Sequence, residues 1–368
     1  MDSNQNKIRA KRYSTWKTRL FLFDIVVSLI GILVFQVFFA QVLSEVALNI
    51  SANFYLALSI FISVFLVFLY VITLPLHYIS TFVMEHRYSL SRQTFWAWAV
   101  DEIKSNMISF VILFFSVQVL YVFLRNFSEY WWLLSAVCWI FFSVILARFM
   151  PVVLLPLFYK YSPILDGSLK KSIIDLSQKA GIKLIDVCQI DFSNKTTKSN
   201  AALIGLGKSR KVILADNLIR EFSQEEIEAV VAHEFGHFKY KHMWRLLLFS
   251  AVSTLISFFI LSIGLNYVAV NTVSIGLSDM KLFPVLVLLI GIMNVFLLPV
   301  QNYYSRCLER QADRFSLDLT GSSEHFVSTM NKLAEKNLAD TDPSKIKKIF
   351  FYNHPPICER IEMARKRK

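Results

Sequence analysis

Residues 231–237 read Val231-Ala232-His233-Glu234-Phe235-Gly236-His237. His233, Glu234 and His237 form the pattern H-E-x-x-H. On a helix, positions i and i+4 lie one above the other on the same face, so both imidazoles can reach one metal ion. Glu234 sits beside the first ligand and can act as general base toward water activated by that metal. An accidental match arises in about one chain in a hundred of this length, and the surroundings of the motif lower that chance.

Upstream, Ser223-Gln224-Glu225-Glu226 is a capping box that starts the motif helix. Before it, Ala201 to Leu206 and Lys211 to Ala215 are short apolar runs joined by Gly207-Lys208-Ser209-Arg210, which predicts a hairpin. Leu184 to Ile190 reads as a further strand, and Lys170 to Ala180 as an amphipathic helix ending at Gly181. The edge strand of such a hairpin pairs with extended substrate backbone in many zinc proteases. Here that strand begins at Asn200-Ala201.

Downstream, Glu309 and Asp313 are again i and i+4. A catalytic zinc site takes three protein ligands and keeps a fourth position open. His233, His237 and Glu309 supply such a set, and Asp313 can accept the second N–H of a ligating histidine. Taken alone, Glu309 and Asp313 would be ordinary charged positions paired to arginines; the H-E-x-x-H motif reverses that preference. His354, in a loop before Pro355-Pro356, is either a surface histidine or a hydrogen-bond donor to the transition state.

The rest of the chain is apolar. Of 368 residues, 55% are hydrophobic, 33 are Phe, and mean hydropathy is +0.48. Such a chain is a polytopic membrane protein rather than a soluble domain of this size. Six spans are expected: about 21–43, 54–83 with a kink at Pro75, 107–124, 131–157, 244–265 and 282–300. Residues 85–106 read as an interfacial amphipathic segment. Asp24 and Arg148 lie at inner span ends, where Arg148 can snorkel to phosphate. Asn294 and Asn302 serve a cavity or interhelical hydrogen bonds equally well. The four cysteines are far apart, without C-x-x-C, and read as packing residues.

The order of parts is therefore a basic tail (1–20), four spans (21–157), the first part of a metalloprotease domain (158–242), two spans (243–300), and its second part with a basic end (301–368). The fold class is mainly α: about six spans around a chamber or groove, with a small α+β zinc metalloprotease (gluzincin) domain. The net charge of +12 sits on one side of the spans, which places both termini and the zinc domain in the cytoplasm. It points to anionic lipid, not to nucleic acid.

Three stretches resemble the CAAX prenyl protease type I family of integral membrane zinc proteases. They are Leu74-Pro75 through Glu85 to Gln93-Thr94 with Pro156-Leu157-Phe158 and Pro163; Ser199-Asn200-Ala201 through Asp216 to His237; and Ser305-Arg306, Glu309, Ala312-Asp313, His354-Pro355 and Arg360. The resemblance implies a helical barrel around a water-filled chamber, closed by the zinc domain. It implies one zinc ion on His233, His237 and Glu309, with Glu234 as base. It places His354 and Arg360 near the substrate and Asn200 along its backbone, and it implies cleavage of C-terminal tripeptides from farnesylated proteins. Members carry five spans before the motif, whereas four are counted here.

Two other readings remain open on sequence alone. One is a quality-control zinc protease with no prenyl requirement, which gains if the source is bacterial; a bacterial inner membrane is expected over the endoplasmic reticulum. The other is a transporter or channel with a structural zinc clamp. The expected partners are a peptide or protein substrate, prenylated in the first reading, and membrane lipids.

Overall fold

The computed structural model of the chain describes residues 3–153, 155–164, 167–205, 210–273 and 276–367. Six helices among them are long and apolar enough to cross a membrane: Gln5–Ile50, Phe54–Arg87, Phe95–Asn126, Trp131–Phe149, His242–Asn271 and Met280–Thr320. Four precede the motif and two follow it.

Two boundaries differ from expectation. Of the segment expected to lie along the interface, 85–87 ends the second-span helix and 95–106 starts the third. Thr94 caps that helix by accepting the Ala97 amide, and it then runs unbroken from Phe95 to Asn126. Phe95 and Trp98 pack against Tyr78 and Phe82 of the second span, while Trp96 is exposed. The sixth span and the Glu309 segment are one helix, Phe283–Thr320. Pro299 does not end it. Arg148 lies with its guanidinium 5.3 Å from the centre of the Trp244 ring, linking the fourth and fifth spans.

The spans close into a ring. The first packs on the second, the second on the third, the third on the fourth, the fourth on the fifth, the fifth on the sixth, and the sixth on the first. A core rich in aromatics joins them at one end, built around Phe35, Phe61, Phe65, Tyr121, Trp131, Leu265 and Phe283. Beyond this plug no described residue is buried in 14–30, 66–83, 99–116, 137–149, 243–260 or 287–305. Those stretches are roughly 20–28 Å long at 1.5 Å per residue. A packed bundle would bury an inward stripe on every helix. None is present among the described residues, so the six spans surround a hollow. Closure therefore does not require a seventh span.

Buried residues resume at the other end, where the second domain sits. Its sheet has the order β1 (Tyr161–Pro163), β2 (Asp186–Ile190), β4 (Lys211–Ala215), β3 (Ala201–Ile204). β3 and β4 pair antiparallel from Ala201 opposite Leu214 to Ile204 opposite Lys211, as the hairpin reading requires. The turn at 206–209 lies outside the described residues. β3 is an edge strand and packs beside the motif helix, Gln224–Lys239. The amino-terminal helix returns to the same side: Ser14 bonds Tyr352, and Asn6 bonds Glu335. Both ends of the chain thus lie on the metalloprotease side of the ring.

The motif helix and the sixth-span helix approach closely because their contact is made of small residues. A Cβ on Gly236 would stand 2.8 Å from the Cα of Ala312 and 3.1 Å from its carbonyl oxygen. The obstacle is backbone, which cannot rotate away. Alanine favours helix by about 1 kcal/mol over glycine, but forced overpacking costs about 1–3 kcal/mol. Gly236→Ala should therefore lower the thermal unfolding midpoint in detergent. An unchanged or raised midpoint would show that the two helices can part without loss.

Candidate metal centre

The motif helix begins as its sequence requires. Ser223 accepts the Glu226 amide at 3.3 Å, and the Ser223 amide donates to Glu226 Oε2 at 2.8 Å. Glu226 also accepts from Ser328 at 2.6 Å and Lys332 at 2.6 Å, which ties the helix start to the following domain helix, Ser323–Lys336. Further along, the hydroxyl of Ser316 donates to the Ala229 carbonyl at 2.7 Å and sets the sixth-span helix against the motif helix.

These contacts bring His233, His237 and Glu309 together. The two Nε2 atoms lie 3.1 Å apart. Glu309 Oε2 is 3.3 Å from His233 Nε2, and Oε1 is 3.4 Å from His237 Nε2. A tetrahedral ion about 2.0–2.1 Å from each ligand needs ligand atoms about 3.3 Å apart. The three separations fit that requirement.

The charges also suit a cation. The carboxylate oxygens of Glu309 face the imidazoles of His233, His237 and His354. Burial opposes a proton on His233, yet Asp313 and Glu309 outweigh it and lift the imidazole to about 9. Burial and the neighbouring His233 pull His237 down to about 4.

Asp313 is fully buried, with Oδ1 2.8 Å from His233 Nδ1. Arg360 was expected next to substrate. It is buried instead, and its Nε and Nη2 both donate to Asp313, the first at 2.9 Å. In this position it holds Asp313.

Glu234 is half-buried, next in the chain to His233 of the candidate ligand set. Burial raises its carboxyl above the ordinary range, with His233 opposing. His354 reaches in from the carboxy-terminal loop, with Nδ1 2.7 Å from Glu309 Oε2 and a side chain 55% exposed. Asn200 is exposed at the start of the edge strand, with its carbonyl accepting the Ala215 amide at 3.0 Å; Ala201 is buried.

Two residues escaped the sequence reading. His242 lies 3.0 Å, Nδ1 to Nδ1, from His237, and its Nε2 lies 3.2 Å from Gln311 Oε1. A histidine soon after the motif and a glutamine between Glu309 and Asp313 were the available signals, but neither spacing fits one helical face.

Comparison with known proteins shows the family to which the chain is similar. Residues 163–368 match the model for Peptidase family M48. Residues 3–160 match that for the CAAX prenyl protease N-terminal domain, described as five membrane helices. An uncharacterized metalloprotease, YhfN, of Bacillus subtilis is 31% identical over 80% of this chain and 70% of its own length. CAAX prenyl protease 1 of Saccharomyces cerevisiae is 32% identical over 79% of this chain and 68% of its own. The crystal structure of S. mikatae Ste24p superposes with a TM-score of 0.86 at 24% identity, covering 98% of this chain and 89% of that one.

Proposed function

Because this chain belongs to Peptidase family M48 and carries the membrane domain of the CAAX prenyl proteases, we propose that it is a zinc endopeptidase cleaving prenylated substrates near their C-termini. It is a multi-pass membrane metalloendopeptidase. Family membership sets aside the transporter or channel reading, and so do three converging ligands in place of a closed set of four. The observation that carries the proposal is the convergence of His233, His237 and Glu309 at the end of a hollow ring of spans.

His233, His237 and Glu309 would hold the metal, and two imidazoles with one carboxylate suit zinc. When bound, zinc supplies Lewis-acid polarisation of water and of the scissile carbonyl. Glu234 takes the proton of the attacking water and returns it to the leaving amine. His354, the most open side chain of the group, donates to the developing oxyanion. The free edge of β3, entered at Asn200 and Ala201, aligns the substrate backbone beside the motif helix. Arg360 acts through Asp313, which orients His233. The hollow gives a lipid chain room next to this centre. The bias of basic residues to one side supports a cytoplasmic position for the centre.

The test is cleavage of one peptide with and without a farnesyl group by the purified protein in detergent. Remote binding energy from the lipid should raise kcat/KM for the farnesylated form by about 10²-fold. Equal rates on both forms would replace this reading with a general membrane-protein protease.

A further inference from the structure

We infer that His242, itself held by Gln311, fixes the tautomer of His237 and so sets the metal affinity of the centre. Both are positioning residues. The inference rests on the reading that His233, His237 and Glu309 are the ligands.

The chain of contacts leaves one consistent arrangement of protons. His237 Nε2 faces His233 and Glu309, so a metal there needs its lone pair and the proton must be on Nδ1. That Nδ1 lies 3.0 Å from His242 Nδ1, which must therefore accept. The proton of His242 is then on Nε2, 3.2 Å from Gln311 Oε1. An oxygen is required at that point, because Arg245 Nη1 donates to the same atom at 2.7 Å and arginine cannot accept. Each group dictates the state of the one before it. A ligating histidine normally has a carboxylate or carbonyl behind it. Here a second histidine, buried to 1% exposure, takes that place.

The backbone is bent to make this contact. In an unbroken helix a residue five positions on lies about 140° around the axis, facing away. The break falls at Lys241, which is left-handed with φ 55° and ψ 39°. Non-glycine residues enter that region at a cost, and such strain collects at functional sites. The bend makes His242 the first residue of the fifth-span helix, His242–Val268, and turns it back onto His237. With Arg245 on the fifth span and Gln311 on the sixth, one metal ligand is tied to both spans.

The experiment is zinc affinity of the full-length protein in detergent, read by competition with a chromophoric chelator. His242→Leu keeps bulk and removes the acceptor; it should weaken zinc binding about 10–100-fold. His242→Asn puts Oδ1 where Nδ1 was and should bind within about threefold of the parent. Wild-type affinity in His242→Leu, or equal weakness in Leu and Asn variants, would overturn the inference. Should His242→Leu fail to fold, Gln311 decides. Gln311→Glu keeps the acceptor and should hold affinity, while Gln311→Leu should lose about tenfold. Equal affinity in that pair would also overturn it. If the unaltered protein binds no zinc, the ligand set itself is wrong, and the inference falls with it.

Discussion

Glu234→Gln should leave the metal bound and lower kcat for peptide cleavage by about 10³-fold, the middle of the range for removing a general acid–base. That corresponds to about 4 kcal/mol of lost transition-state stabilisation. The geometry separates the two properties. Glu234 is not among the three converging ligand residues. Glutamine has the same shape and accepts no proton, so little else changes. The measurement is metal content beside kcat on one preparation. Metal retained with kcat within tenfold of the parent would remove Glu234 from the reaction. Metal lost together with activity would make it a ligand.

The second large effect is expected at Asp313, where one carboxylate serves two neighbours. Asp313→Ala leaves the Arg360 guanidinium buried without its partner, a change that costs about 3–5 kcal/mol. It also removes the group 2.8 Å from His233 Nδ1. Loss of such a partner typically lowers metal affinity about 10–100-fold. A double variant separates the two. Asp313→Leu with Arg360→Met replaces a buried ion pair by apolar groups and should recover most of the thermal stability. Its metal affinity should stay low, because nothing then orients His233. Recovery of both properties would mean that Asp313 matters only as the counter-ion of Arg360.

Much of this architecture was legible in the chain itself. A bilayer accepts only helices with their backbone groups paired, so six apolar runs read directly as six spans. His233 and His237 could be paired because helical periodicity is local. The capping box, the hairpin of β3 with β4 and the break at Gly181 were visible for the same reason: each depends on residues close in sequence.

What remained hidden depended on distance or on backbone that leaves the regular pattern. Hydropathy cannot place the spans relative to one another; closure of the ring needed the packing of the first span on the sixth. Glu309 was a candidate by spacing, but only the close contact permitted by Gly236 and Ala312 carries it to the histidines. Arg360 looked like a substrate contact until a fully buried Asp313 claimed it. His242 was out of reach because the left-handed turn at Lys241 breaks the periodicity from which its direction would be read. The sequence by itself determined the number of spans, the motif helix with its hairpin and the chemical type of the centre, because those follow from local pattern. The tertiary structure alone decided how the spans close and which side chains stand behind the ligands, because those depend on contacts between helices far apart in the chain.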